Sequence, residues 1–177
     1  LTNALSQENT EEAVFMPGPA LSAGPEFQQR LSLFLDDLGS SSVKLFGNFW
    51  FEKVEGDRPP TWPSLQPHTR PDLILSAFVL ERPVGSARIF IRFIGNDLIE
   101  TLGGEITGLA LDEITQDETL TRWNAANTYC FDKQAVSAVD FDLGFAGRHF
   151  KKATTVMFPL QSDTDVDLLL GYALWRN

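Results

Sequence analysis

Residues 87–94 read Ala87-Arg88-Ile89-Phe90-Ile91-Arg92-Phe93-Ile94. β-Branched and aromatic side chains dominate, and Gly95 ends the run, so the stretch reads as a β-strand. Simple alternation puts Ile89, Ile91 and Phe93 on one face and Arg88, Phe90, Arg92 and Ile94 on the other. Upstream, Leu73 to Leu80 is an apolar run of strand length, followed by a turn-like Arg82-Pro83-Val84-Gly85. Downstream the period changes. Leu98, Ile99 and Leu102 suggest a short helix ended by Gly103-Gly104, and Thr107-Gly108 opens a second short segment from Leu109 to Ile114. Residues 117–131 read as a longer helix, with Leu120, Trp123 and Ala126 turned inward. Three strands near 134–143, 150–160 and 165–175 complete the chain. This order predicts an α+β domain. Its five-stranded antiparallel sheet would have spatial order 2-1-5-4-3, with helices on one face and a small cavity between the layers.

Working toward the N-terminus, residues 1–24 are polar or small and contain Pro17-Gly18-Pro19, which reads as a flexible tail. Residues 25–71 hold helices and an arm. Pro25 stands at a helix start, Phe27, Leu31, Phe34, Leu35 and Leu38 recur at helical spacing, and Gly39 closes the segment. Ser40, Ser41 and Ser42 offer caps for a helix near 43–55 carrying Val43, Phe46, Phe49 and Trp50. Pro59, Pro60, Pro63 and Pro67 then exclude regular helix and favour an extended, surface-hugging arm. The core is residues 72–177.

The chain has 177 residues, room for one domain with a sizeable core but not two. Apolar residues make up 43%, an ordinary globular share. The formal net charge of -10 repels phosphate backbones and anionic membranes, so neither nucleic acid nor a membrane is expected as a partner. No run of 18 apolar residues occurs, and no basic-then-apolar leader opens the chain. The one cysteine, Cys130, precludes an internal disulfide and fits a reducing compartment. The expected location is cytoplasmic.

Several short elements, in their order and spacing, carry a resemblance. They are Phe49-Trp50, Gly56-Asp57-Arg58, the Pro60/Pro67 pair, and Arg92-Phe93-Ile94-Gly95. Gly104-Glu105-Ile106-Thr107-Gly108, Pro159-Leu160, and Asp165 or Asp167 follow. Over roughly residues 45–175 the chain resembles the PAS-like family of short, single-domain bacterial proteins found especially in alphaproteobacteria. The departures are Trp62, where that family often has a basic residue, and the uncovered helix at 25–38. The resemblance implies a PAS fold and a sensory or regulatory role in signal transduction. It names no ligand.

A flavin photosensor of this class needs an Asn-Cys-Arg-type motif, and Cys130 lacks those neighbours, so it reads as a structural core cysteine. A haem sensor needs an axial ligand, and only His68 and His149 exist. No cofactor or metal site is therefore expected. No nucleophile elbow, phosphate loop or zinc-protease motif is present, which leaves catalytic residues unassigned and favours a non-enzyme. Residues that can line a ligand pocket are Phe90, Arg92, Leu98, Leu102, Leu109, Trp123, Tyr129 and Met157. Arg92 could grip a carboxylate ligand, or could bridge to Asp97, Glu100 or Asp112 as a structural clamp. The stripe Phe27, Leu31, Phe34, Leu35 and Leu38 must be covered by its own sheet or by a second copy, and a homodimer contact is the expectation. The leading function is a regulatory module that binds a partner protein, a small ligand, or both. A kinase-type phospho-accepting His motif is missing, so the signal would pass to a separate protein. The competing reading is a small cone-fold isomerase or dehydratase using a buried Tyr-Asp pair centred on Tyr129.

Overall fold

The computed structural model of the protein describes residues 15–65, 70–144 and 147–176. Strands β1 (Phe15–Ala20), β2 (Ala77–Pro83), β3 (Phe90–Ile94), β4 (Ala135–Leu143), β5 (Arg148–Pro159) and β6 (Val166–Arg176) form one antiparallel sheet in the order β1-β4-β5-β6-β2-β3. Five of these strands stand in the expected order. The sixth, β1, lies in the stretch read as a tail. Pro17 and Pro19 argue against a strand interior, but β1 is an edge strand, where a missing N–H is tolerated. Gly18 sits close under its neighbour, since a Cβ there would meet the Val136 carbonyl oxygen at 2.5 Å. Residues 1–14 of the expected tail lie outside the described residues, as do Pro67 and His68.

Helices cover both faces of the sheet, not one. On the first face lie α1 (Pro25–Asp37) and α2 (Ser41–Phe51). Pro25 opens α1, and Gly39, at φ 68°, lets the chain leave it. Ser40 caps α2, its hydroxyl accepting the Val43 N–H at 3.3 Å. The stripe expected at a dimer contact is covered by its own chain. Phe27, Leu31, Leu35 and Leu38 are buried with Val136, Ala138, Val156, Phe158, Leu170 and Tyr172, and Phe34 packs at the margin. Trp50 is fully buried here and donates its indole N–H to the Pro159 carbonyl at 2.9 Å. The proline arm packs on the same face. Pro60 accepts the Gln161 N–H at 2.9 Å, and Trp62 lies 5.2 Å from Phe93.

On the opposite face lie α4 (Asn96–Leu102), α5 (Leu111–Ile114) and α6 (Asp117–Lys133). Strand alternation divides the two cores. In β6, Leu168, Leu170 and Tyr172 point toward α1 and α2, while Leu169 and Ala173 point toward α6. Upstream, Leu73 and Ile74, expected in a strand, belong to the short helix α3 (Pro71–Ile74), opened by Pro71. The strand itself starts at Ala77 and runs through Arg82-Pro83, the expected turn.

Candidate functional site: an apolar cavity under the long helix

Between the sheet and helices α4–α6 lies a cavity of about 70 Å³. Its floor includes Phe78, Leu80, Ile91, Met157, Ala173 and Trp175 from the sheet, with Ile94, Phe141 and Thr155. Leu98 and Leu102 of α4, Leu111 and Ile114 of α5, and Trp123 and Asn127 of α6 form the roof, and Ile106 of the loop completes it. None of these described lining residues is ionisable at neutral pH.

Local chemistry explains the shape. Gly171, in the centre of β6, has no side chain where the Phe78 ring lies; a Cβ would meet ring carbons at 2.1 Å. Trp123 stands edge-on to Phe141, at 4.9 Å and 88°. Asn127 follows Trp123 by four residues, so one turn of α6 presents both to the cavity. Asn127 is only 3% exposed, and its Oδ1 has no hydrogen-bond partner among the described residues.

Of the eight expected pocket residues, Leu98, Leu102, Trp123 and Met157 line this cavity. The other four do not. Pairing of β2 with β3 runs Val79 with Phe93 and then Leu80 with Ile91, leaving Arg92 as a bulge. The bulge puts Ile91 and Ile94, three residues apart, on the cavity side and turns Phe90 and Arg92 away. Arg92 acts as a clamp, but on Glu81 (3.4 Å) and Asp163 (3.1 Å), not on Asp97, Glu100 or Asp112. The Thr164 amide and then Arg92 hold the Asp163 carboxyl below the usual range. Asp112 is taken instead by Arg88, at 2.7 Å. Leu109 is exposed where residues 108–111 pair with the outer edge of β3. Tyr129 points to the sheet edge, donating its hydroxyl to the Gly18 carbonyl at 2.7 Å beside the Phe15 ring.

The signals for the missed lining residues were periodic ones. Asn127 is one helical turn from Trp123, and Ala173 and Trp175 share the parity of Leu169 in β6.

The elements behind the family resemblance have structural work in this chain. Gly95 lies where a Cβ would meet the Leu75 carbonyl oxygen at 2.3 Å and that of Ile74 at 2.4 Å. In the Gly104–Gly108 element, the Glu105 carboxylate accepts the Thr107 N–H at 2.9 Å, and Gly108 donates to the Ile91 carbonyl at 2.7 Å. These bonds fasten the loop over the cavity to β3. Asp167 pairs with Arg82 at 3.1 Å, and the Arg82 guanidinium also covers the Phe131 ring at 4.4 Å. Cys130 is buried, 2.9 Å from the Ser137 hydroxyl, and burial pushes its thiol up to about 12. His149 lies in β5. No cluster of three or more His, Cys, Asp or Glu among the described residues could hold a metal, and no described helix is long and apolar enough to cross a membrane.

No family model and no curated protein matches the sequence. Among solved structures, a domain of an HTR-like protein from Haloarcula marismortui ATCC 43049 is similar over 58% of this chain and 99% of its own. The TM-score is 0.45 and the sequence identity 10%. A likeness that slight carries no argument about function.

Proposed function

We propose that the chain is a non-catalytic regulatory domain of the PAS type, which works by binding a small molecule and relaying that state to a protein partner. The observation that carries this reading is the cavity: set between sheet and helices and open on one side, apolar, and lined among the described residues by no ionisable side chain. Concave apolar sites with few polar groups are the usual form of small-molecule sites. Acid–base catalysis needs a titratable group within reach of the reacting atom. Tyr129, the centre of the enzyme alternative, is turned to the Gly18 carbonyl and does not line the cavity. The order β4-β5-β6-β2-β3, with three helices inserted between β3 and β4, supports the PAS assignment.

The test is mass spectrometry of small molecules released when freshly purified full-length chain is denatured. Wild type is expected to release a small molecule near one per chain. Ala173→Leu, which points three further carbons into the cavity, is expected to release none. Equal release from both, or none from wild type, would remove the cavity as the functional site.

A further inference from the structure

We propose that the ligand of this cavity is an uncharged, mainly apolar molecule carrying one hydrogen-bond donor, and that Asn127 Oδ1 is the acceptor that selects it. This rests on the reading of the cavity as a ligand site. Buried side-chain oxygens are almost always paired. Asn127 lines the cavity, and its Oδ1, on a side chain 3% exposed, has no donor among the described residues. A donor on the ligand completes it. Everything around that oxygen limits the rest of the molecule. Leu98, Leu102, Ile114, Phe141 and Met157 reward an apolar body. With no ionisable side chain in the described lining, a carboxylate or ammonium would lose its hydration without a counter-charge. Size is the last restraint. The volume, about 70 Å³, is roughly half that of an apolar protein cavity able to take benzene. A short aliphatic chain fits these limits, its end reaching the open side of the cavity.

The experiment uses the full chain and two isomers with the same atoms, 1-butanol, which donates a hydrogen bond, and methyl propyl ether, which only accepts one. Butyrate is the charged control. Trp123 and Trp175 line the cavity, so tryptophan fluorescence reports occupancy. In wild type, 1-butanol is expected to bind about tenfold more tightly than the ether, the effect of one net hydrogen bond, and butyrate not measurably. In Asn127→Leu, close in shape but without polar atoms, the alcohol and the ether are expected to bind alike. Equal binding of alcohol and ether to wild type would overturn the role of Asn127 and point to a water held on Oδ1, while the cavity would still stand as a site. Butyrate binding as tightly as 1-butanol would overturn the uncharged class. Binding of neither neutral isomer would overturn the ligand-site reading itself, and this inference with it. The wild-type comparison needs no variant, so misfolding of Asn127→Leu cannot rescue the proposal.

Discussion

Trp50→Ala should remove a large share of the stability of this protein. The indole is fully buried, 5.2 Å from the Phe158 ring and 6.2 Å from Phe27, and donates to the Pro159 carbonyl at 2.9 Å. Truncating a large buried aromatic to Ala costs roughly 3–5 kcal/mol. Leaving a buried carbonyl unpaired adds about 1 kcal/mol. Domains of this size are stable by roughly 5–15 kcal/mol in total. The transition should therefore fall by roughly 10–20 °C. Trp50→Phe separates the two contributions: it keeps most of the ring volume and loses only the hydrogen bond, so about 1–3 kcal/mol is expected. Urea titration with a free slope and midpoint gives both numbers. The reasoning fails if Trp50→Ala lies within 1 kcal/mol or so of wild type, or if Trp50→Phe is as damaging as Trp50→Ala.

Three further outcomes follow from the packing. Asn127→Leu removes an unpaired buried oxygen, so the ligand-free protein should gain about 1 kcal/mol by urea titration; a clear loss would mean that Asn127 is paired. Gly95→Ala should lower the melting temperature far more than Gly104→Ala, because a Cβ meets two backbone carbonyls at the first position and open space at the second; equal effects would contradict the close approach of Gly95 to α3. The Cys130 thiol, raised to about 12 by burial from an ordinary value of 9.0, stays protonated in the folded chain at pH values where the unfolded chain ionises. Its contribution to stability is complete below about pH 9 and is lost as pH rises toward 12. Thiol labelling at pH 8 should accordingly be slow until denaturant is added, and rapid labelling of the native chain would place Cys130 at the surface.

The succession of elements along the chain was legible because glycines and prolines punctuate most changes of element. Gly39, Gly95 and Gly103 mark real boundaries, and the last three strands lie within two residues of their expected ends. The second helical layer was less easily read, although its sign was present. Leu168, Leu169, Leu170, Tyr172, Ala173 and Leu174 are apolar on both parities of β6, which suits a strand covered on both faces. The apolar stripe on α1 pointed first to a second copy, and only the three-dimensional packing shows its own sheet beneath it. The candidate site suffered from a different effect. Alternation assigns Arg92 and Phe90 to the cavity only if β3 is regular, and a one-residue bulge reverses the assignment for half the strand. No local residue pattern announces that bulge. Edge position likewise decides whether Pro17 and Pro19 exclude a strand, and edge position is a property of the whole sheet.

The most direct measurement of the central claim is a crystal structure of the full chain with 1-butanol at saturating concentration, set beside one of the untreated protein. The account predicts density for one bound molecule between α6 and the sheet, its hydroxyl within hydrogen-bond distance of Asn127 Oδ1 and its chain against Leu98, Trp123 and Met157. A cavity closed by its own side chains in both crystals, with no density for the alcohol, would contradict it.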